Sequence, residues 1–189
     1  HFFFYHCNIN PLFKPFVAYF FVKFYDFHGA TLYALWYNKE KTTIGRNGRI
    51  DEMSVIKELI RTENNGTISF GNYELAEKAK LDNYEYEGDL YKIKTFREMT
   101  KLERNGLFVY ESVPGTTVEN FTETEAGVEF IVESWEDAQI TLGLEADTEY
   151  EVFVAGESAG KMSTNLGGKL SVGVELSSTS RVDVKVVRV

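Results

Sequence analysis

The chain has 189 residues and a formal net charge of −9, enough for one domain or two small ones. That charge excludes nucleic acid as an expected partner, because holding a phosphate backbone needs a positive stripe. All three His (His1, His6, His28), the only Cys (Cys7) and nine of the fifteen Phe fall in residues 1–28. From Met53 onward, Ser-His-Asp and Cys-His catalysis and the usual zinc sites therefore lack their parts.

The first stretch differs from the rest. Residues 1–52 carry six Lys/Arg against four Asp/Glu, and residues 53–189 carry 14 against 25. The first methionine is Met53. Phe, Tyr, Asn, Lys and Ile, the residues of AT-rich codons, dominate the beginning, and Gly48-Arg49 permits purine-rich codons where a ribosome-binding site would lie. The expectation is that translation starts at Met53 and that residues 1–52 are translated upstream sequence outside the fold, non-native or disordered. The competing reading makes Phe13–Trp36 a membrane anchor. Lys14, Pro15, Lys23, Asp26 and His28 interrupt it. A spanning helix needs about 20 mostly apolar residues, and the clean run Phe16–Val22 is too short.

From Met53 the spacing predicts an all-β protein. Ser54–Thr62 reads as a strand, followed by an Asn64-Asn65-Gly66 turn and a return strand over Thr67–Phe70, since Asn-Gly is a strong hairpin signal. Tyr73–Lys80 is mixed and has room for a short helical turn. Tyr84–Tyr86 and Leu90–Phe96 flank Glu87-Gly88-Asp89 as a second hairpin, and Lys101–Arg104 and Leu107–Tyr110 flank Asn105-Gly106 as a third. Pro114-Gly115 marks a break, placing a boundary between an N-terminal β-hairpin lobe (53–113) and a C-terminal β-sandwich lobe (114–189). Val118–Glu123 and Val128–Glu133 then form a hairpin about Ala126-Gly127, and Ala138–Leu144 a strand. Thr148–Leu176 is the clearest stretch. Tyr150, Val152 and Val154, then Leu170, Val172, Val174 and Leu176, alternate with polar residues at the period of a half-buried strand. Gly156 and Asn165–Gly168 supply the turns, so the stretch reads as a meander. Arg181–Val189 closes the chain with Val182, Val184 and Val186 inward. The fold expected is antiparallel hairpins forming one β-sandwich or two small β lobes, and the Val152/Val154, Val172/Val174 and Val182/Val184 faces are expected to share one core.

Carboxylates, Tyr and Trp remain as candidate chemistry. Trp135 lies close in sequence to Glu133, Glu136 and Asp137, which suits a glycosidase acid pair or a sugar-stacking platform. Acids at alternating strand positions are more often the solvated face, and a lone Trp more often core. Glu145, Asp147 and Glu149 lack the spacing of a calcium loop. Tyr84, Tyr86, Tyr91 and Tyr110, with Trp135, are the candidate ligand-binding residues, although cross-strand aromatic pairs also stabilise sheets on their own. The residues call for no catalytic group, cofactor or metal.

Gly88–Phe96, Lys101–Gly106, Phe108–Thr116, Glu136–Thr141, Lys161-Met162 and Thr164–Leu170 resemble a family of short proteins of gut Firmicutes that carry the label endosialidase. The resemblance begins at Met53 and spans nearly all of residues 53–189. The C-terminal lobe is also similar to the immunoglobulin- and fibronectin-like sandwich modules that accompany bacterial carbohydrate-active enzymes. A sialidase activity is not expected from either likeness. Arg61, Arg97, Arg104, Arg181 and Arg188 belong to no motif that gathers them around a carboxylate, and no S-x-D-x-G-x-x-W box is present. The expected function is a cytoplasmic, non-enzymatic binding or scaffold protein whose partner is a protein or a glycan. The alternative is a glycan-binding accessory module or a fragment of a carbohydrate-active protein. No membrane partner is expected if translation starts at Met53.

Overall fold

The computed structural model describes residues 55–189 in full and, before them, the backbone of four short strands. Residues 1–53 and 54–189 are two compact units. In the first, β1 (Phe20–Asp26) pairs antiparallel with β2 (Gly29–Leu35), and β3 (Thr43–Ile44) with β4 (Ile50–Asp51). Two parts of the apolar Phe13–Trp36 stretch are thus strand. The expectation of a translated leader otherwise lies outside the described residues. Among the described residues no helix is long and apolar enough to cross a membrane.

The second unit is a sandwich of two antiparallel sheets. Seven strands form one sheet in the order β15 (Glu157–Ser163), β14 (Glu149–Val154), β17 (Arg181–Arg188), β12 (Gly127–Glu133), β11 (Thr117–Thr124), β6 (Ile68–Phe70) and β5 (Ile60–Thr62). Six form the other in the order β16 (Lys169–Val174), β13 (Ala138–Gly143), β10 (Leu107–Val113), β9 (Met99–Arg104), β8 (Asp89–Phe96) and β7 (Ala79–Tyr86).

Alternation builds the core. Val182, Val184 and Val186 of β17 and Leu170, Val172 and Val174 of β16 are buried, while the residues between them face out. Val152, Val172, Val174, Val182 and Val184 fall in one cluster with half-buried Val154 packed against it, so the three valine faces do share a core. At its centre Phe70, Tyr110, Phe121 and Phe130 meet with ring centroids 5.3 to 5.8 Å apart, mostly edge to face. That geometry satisfies the ring quadrupoles. The Asn105-Gly106 turn has φ of 51° and 78°. Two left-handed residues give the turn whose twist matches the strands it joins.

Four expectations are corrected. Ser54–Thr62 is strand only over Ile60–Thr62, because Leu59 takes φ 72° and its N–H bonds back to Ile56 O at 3.0 Å. Tyr73–Lys80 holds no helix and enters β7 at Ala79. Thr148–Leu176 is not a meander: β14 and β15 pair, but β16 crosses over to β13 in the other sheet. The Asn165 turn makes that crossing, its Oδ1 accepting N–H bonds from Gly167 at 2.9 Å and Lys169 at 3.0 Å. Pro114 separates no lobes. Strands from before and after it pair as β6–β11 and β10–β13, and residues from both sides fill one core.

Candidate functional site

The aromatic residues singled out in the sequence do not converge on a platform. Tyr110 is fully buried, its hydroxyl shares a hydrogen bond with Thr116 Oγ1 at 2.8 Å, and burial pushes its ionisation up. As a core residue it meets no ligand. Tyr91 is also buried, edge to face with Tyr86 at 5.9 Å. Tyr84 and Tyr86 are half-buried, and their hydroxyls tie β7 to the opposite sheet, one bonding with Thr62 Oγ1 at 2.8 Å and the other donating to Gly66 O. These three tyrosines are brought together as packing across the sandwich. Trp135 lies apart from them, at the far end of β12 from Gly127, its ring edge-on to Tyr73 at 5.0 Å.

An open site exists at the opposite end of the strands from Trp135. There the two sheets leave a cleft of about 770 Å³, within the volume range of small-molecule sites. Its floor is apolar, from Phe108, Val109, Leu144 and Tyr150. Close backbone approach shapes it: a Cβ on Gly143 would lie 2.2 Å from Phe108 O, and one on Gly168 2.3 Å from Leu144 O. A bulge in β10 between Phe108 and Tyr110 sits at the same place, and bulges re-aim side chains beside sites. Leu107, 71% exposed, is an apolar side chain in its lining.

Charge in the cleft comes as two matched pairs and the carboxylate of Glu125. Arg104 pairs with Glu123 at 3.1 Å, and Arg188 pairs with Glu145. Lys169 Nζ lies 4.5 Å from the centroid of Phe108. Such paired cations present fixed N–H donors to a polar ligand, while the partnered carboxylates are already engaged. Sequence reasoning missed this site because its ion pairs join residues 19 and 43 positions apart. The available signal was the recurrence of Arg and Glu at strand ends.

At the Trp135 end, Glu133 is buried and accepts the Tyr73 hydroxyl at 2.9 Å. Burial raises its carboxyl above the ordinary range and outweighs the Tyr73 bond, which lowers it; nearby Glu119 adds a further upward push and Arg181 opposes it. Glu119 is itself paired with Arg181. Glu136 and Asp137 do not join Glu133. Both are exposed, and Asp137 accepts the N–H groups of Leu176 and Ser177 at 2.9 Å each, which holds its carboxyl below the ordinary range. Among the described residues no group of three or more His, Cys, Asp or Glu is placed to hold a metal.

Set against models of known protein families, characterised proteins and solved structures, the chain matches none.

Proposed function

We propose that the chain is a non-enzymatic binding protein and that the cleft at the open end of the sandwich is where its ligand sits. The observation that carries this reading is an apolar floor flanked by two arginines, each already neutralised by a glutamate. That arrangement orients a ligand through N–H donors and apolar contact, as pockets of this size do. It offers no activated nucleophile, and Glu133, the carboxyl raised by burial among the described residues, lies at the other end beneath Tyr73. The ligand is a protein or a glycan; the resemblance to endosialidase-labelled proteins favours the glycan. The cytoplasm is the proposed setting, since residues 53–189 hold no Cys and use no disulfide.

A glycan array probed with the full chain and with a Leu107→Glu variant tests the site and separates the two ligands. Retention of defined glycans, lost in the variant, supports the cleft and the glycan alternative. Retention that the variant leaves unchanged moves the site elsewhere. Polysialic acid incubated with the chain should stay intact, and turnover above a heat-killed control would overturn the non-enzymatic reading.

A further inference from the structure

The outer face of the six-stranded sheet carries a feature the cleft does not use. Register places Lys80 of β7 directly opposite Lys94 of β8, and Lys94 directly opposite Lys101 of β9. Ile93, Thr95, Thr100 and Leu102 turn into the interior, so the lysines face out. Like charges directly opposite one another destabilise a sheet. A lysine on an edge strand blocks unwanted pairing, which accounts for Lys80. It does not account for Lys94 or Lys101, which lie on interior strands. Lys101 has a carboxylate partner in Glu103 at 2.7 Å, and Lys92 one in Asp82 at 3.0 Å. Among the described residues neither Lys80 nor Lys94 is in an ion pair. The row ends at Glu111, opposite Lys101. This cationic row stands in a stretch, residues 53–189, with 14 basic against 25 acidic residues.

A second row runs beside the first. Phe96 lies opposite Met99, and Val113, which follows the Ser112–Thr100 pair, continues the line and is 52% exposed. The two rows are two residues apart along each strand, about 6.6 Å. We propose that this face is a docking surface for an acidic amphipathic helix of a partner protein. Neighbouring strands lie about 4.8 Å apart and a helix rises about 5.4 Å per turn, so a helix laid across the strands advances one turn per strand. Its carboxylates at i, i+4 and i+7 then meet Lys80, Lys94 and Lys101 in turn, and its adjoining apolar stripe covers Phe96, Met99 and Val113. Charge complementarity sets the partner's sign, and the apolar row selects an amphipathic helix over a purely charged polymer.

Fluorescence anisotropy on the full chain tests this, with a labelled peptide carrying Glu at i, i+4 and i+7 beside a Leu stripe. A scrambled peptide of the same composition, a sulfated polysaccharide and single-stranded DNA are the comparison probes. The striped peptide should bind about tenfold or more tighter than each of them. Lys94→Glu should remove that preference while leaving the denaturation midpoint equal or higher, because a like-charge contact is gone. Should Lys94→Glu fail to fold, Lys80→Glu on the exposed edge carries the same test, and Val113→Asp probes the apolar row. Equal binding of the scrambled peptide, tighter binding of the polysaccharide or DNA, or binding untouched by the folded variants would overturn the proposal.

Discussion

Where the chain crosses between sheets at Pro114, the buried polar groups are nearly all neutral hydroxyls. Thr95, Thr100, Ser112 and Thr116 are fully buried there. Thr100 Oγ1 donates to Thr116 O at 2.7 Å, accepts Thr116 N–H at 3.1 Å and bonds Thr95 Oγ1 at 2.9 Å, while Thr116 Oγ1 meets Tyr110 and Ser112. At the other end of the same strands the polar groups include charged, partly exposed pairs: Arg104 with Glu123 and Arg188 with Glu145. The contrast follows from desolvation. A buried hydroxyl needs only a partner, whereas a buried ion loses more hydration than a pair returns. One end therefore contributes stability, and the other keeps charge available for recognition.

The closed end breaks most severely if one hydroxyl is removed. Thr100→Val keeps the shape but strands the Thr116 amide, so it should cost about 2–3 kcal/mol, the range for an unsatisfied buried group plus a lost hydrogen bond. Urea denaturation measures it, and an unchanged midpoint would mean that the network is incidental.

A smaller effect separates two carboxylates of the closed end, Glu133 and Asp137, by pH. Glu133 titrates above its ordinary 4.5 in the fold because it is buried. Its protonated form thus favours folding, a contribution complete below the unfolded value and lost as pH rises through the folded one. Glu133→Gln still offers Tyr73 an acceptor and never ionises. It should match the wild type in acid and exceed it in stability at neutral pH. Asp137 runs the other way. Two backbone N–H groups hold it below its ordinary 3.8, so its contribution is complete above the unfolded value and lost as pH falls through the folded one. Asp137→Ala should flatten the acid limb of the stability profile. Parallel profiles for the two variants would remove the distinction.

Much of the hairpin content was legible in the sequence because turn chemistry and alternation are local. Asn105-Gly106 and Gly156 each sit where the sequence placed them. Assignment of strands to sheets was not legible: Leu170, Val172 and Val174 alternate identically whichever sheet they join, and only the long-range pairing of β16 with β13 decides. The surroundings of the tyrosines were not legible for a related reason. Alternation says that Tyr84 and Tyr86 share a face, as the structure shows by tying both hydroxyls to the β5–β6 hairpin, but it does not say whether that face is inside. The cleft and the lysine row depend on register between strands, which no single window of sequence contains.

The open end should prove the least costly to disturb. Arg188 and Glu145 are 46% and 59% exposed in their side chains, and exposed pairs contribute about 0–1 kcal/mol. Arg188→Gln leaves the strand's backbone bonding intact, since the Arg188 N–H to Ala126 O bond at 2.8 Å needs no side chain. Its denaturation midpoint should therefore shift by less than about 0.5 kcal/mol equivalent, with little response to added salt. A cleft ligand that uses the guanidinium would nonetheless lose about tenfold or more in affinity, because its polar group faces a neutral amide instead of a charged fork. A stability loss above about 1 kcal/mol would instead make the pair a structural clasp. In that case both ends of the sandwich would be held shut by their polar groups, and the division between a stabilising end and a recognising end would fail.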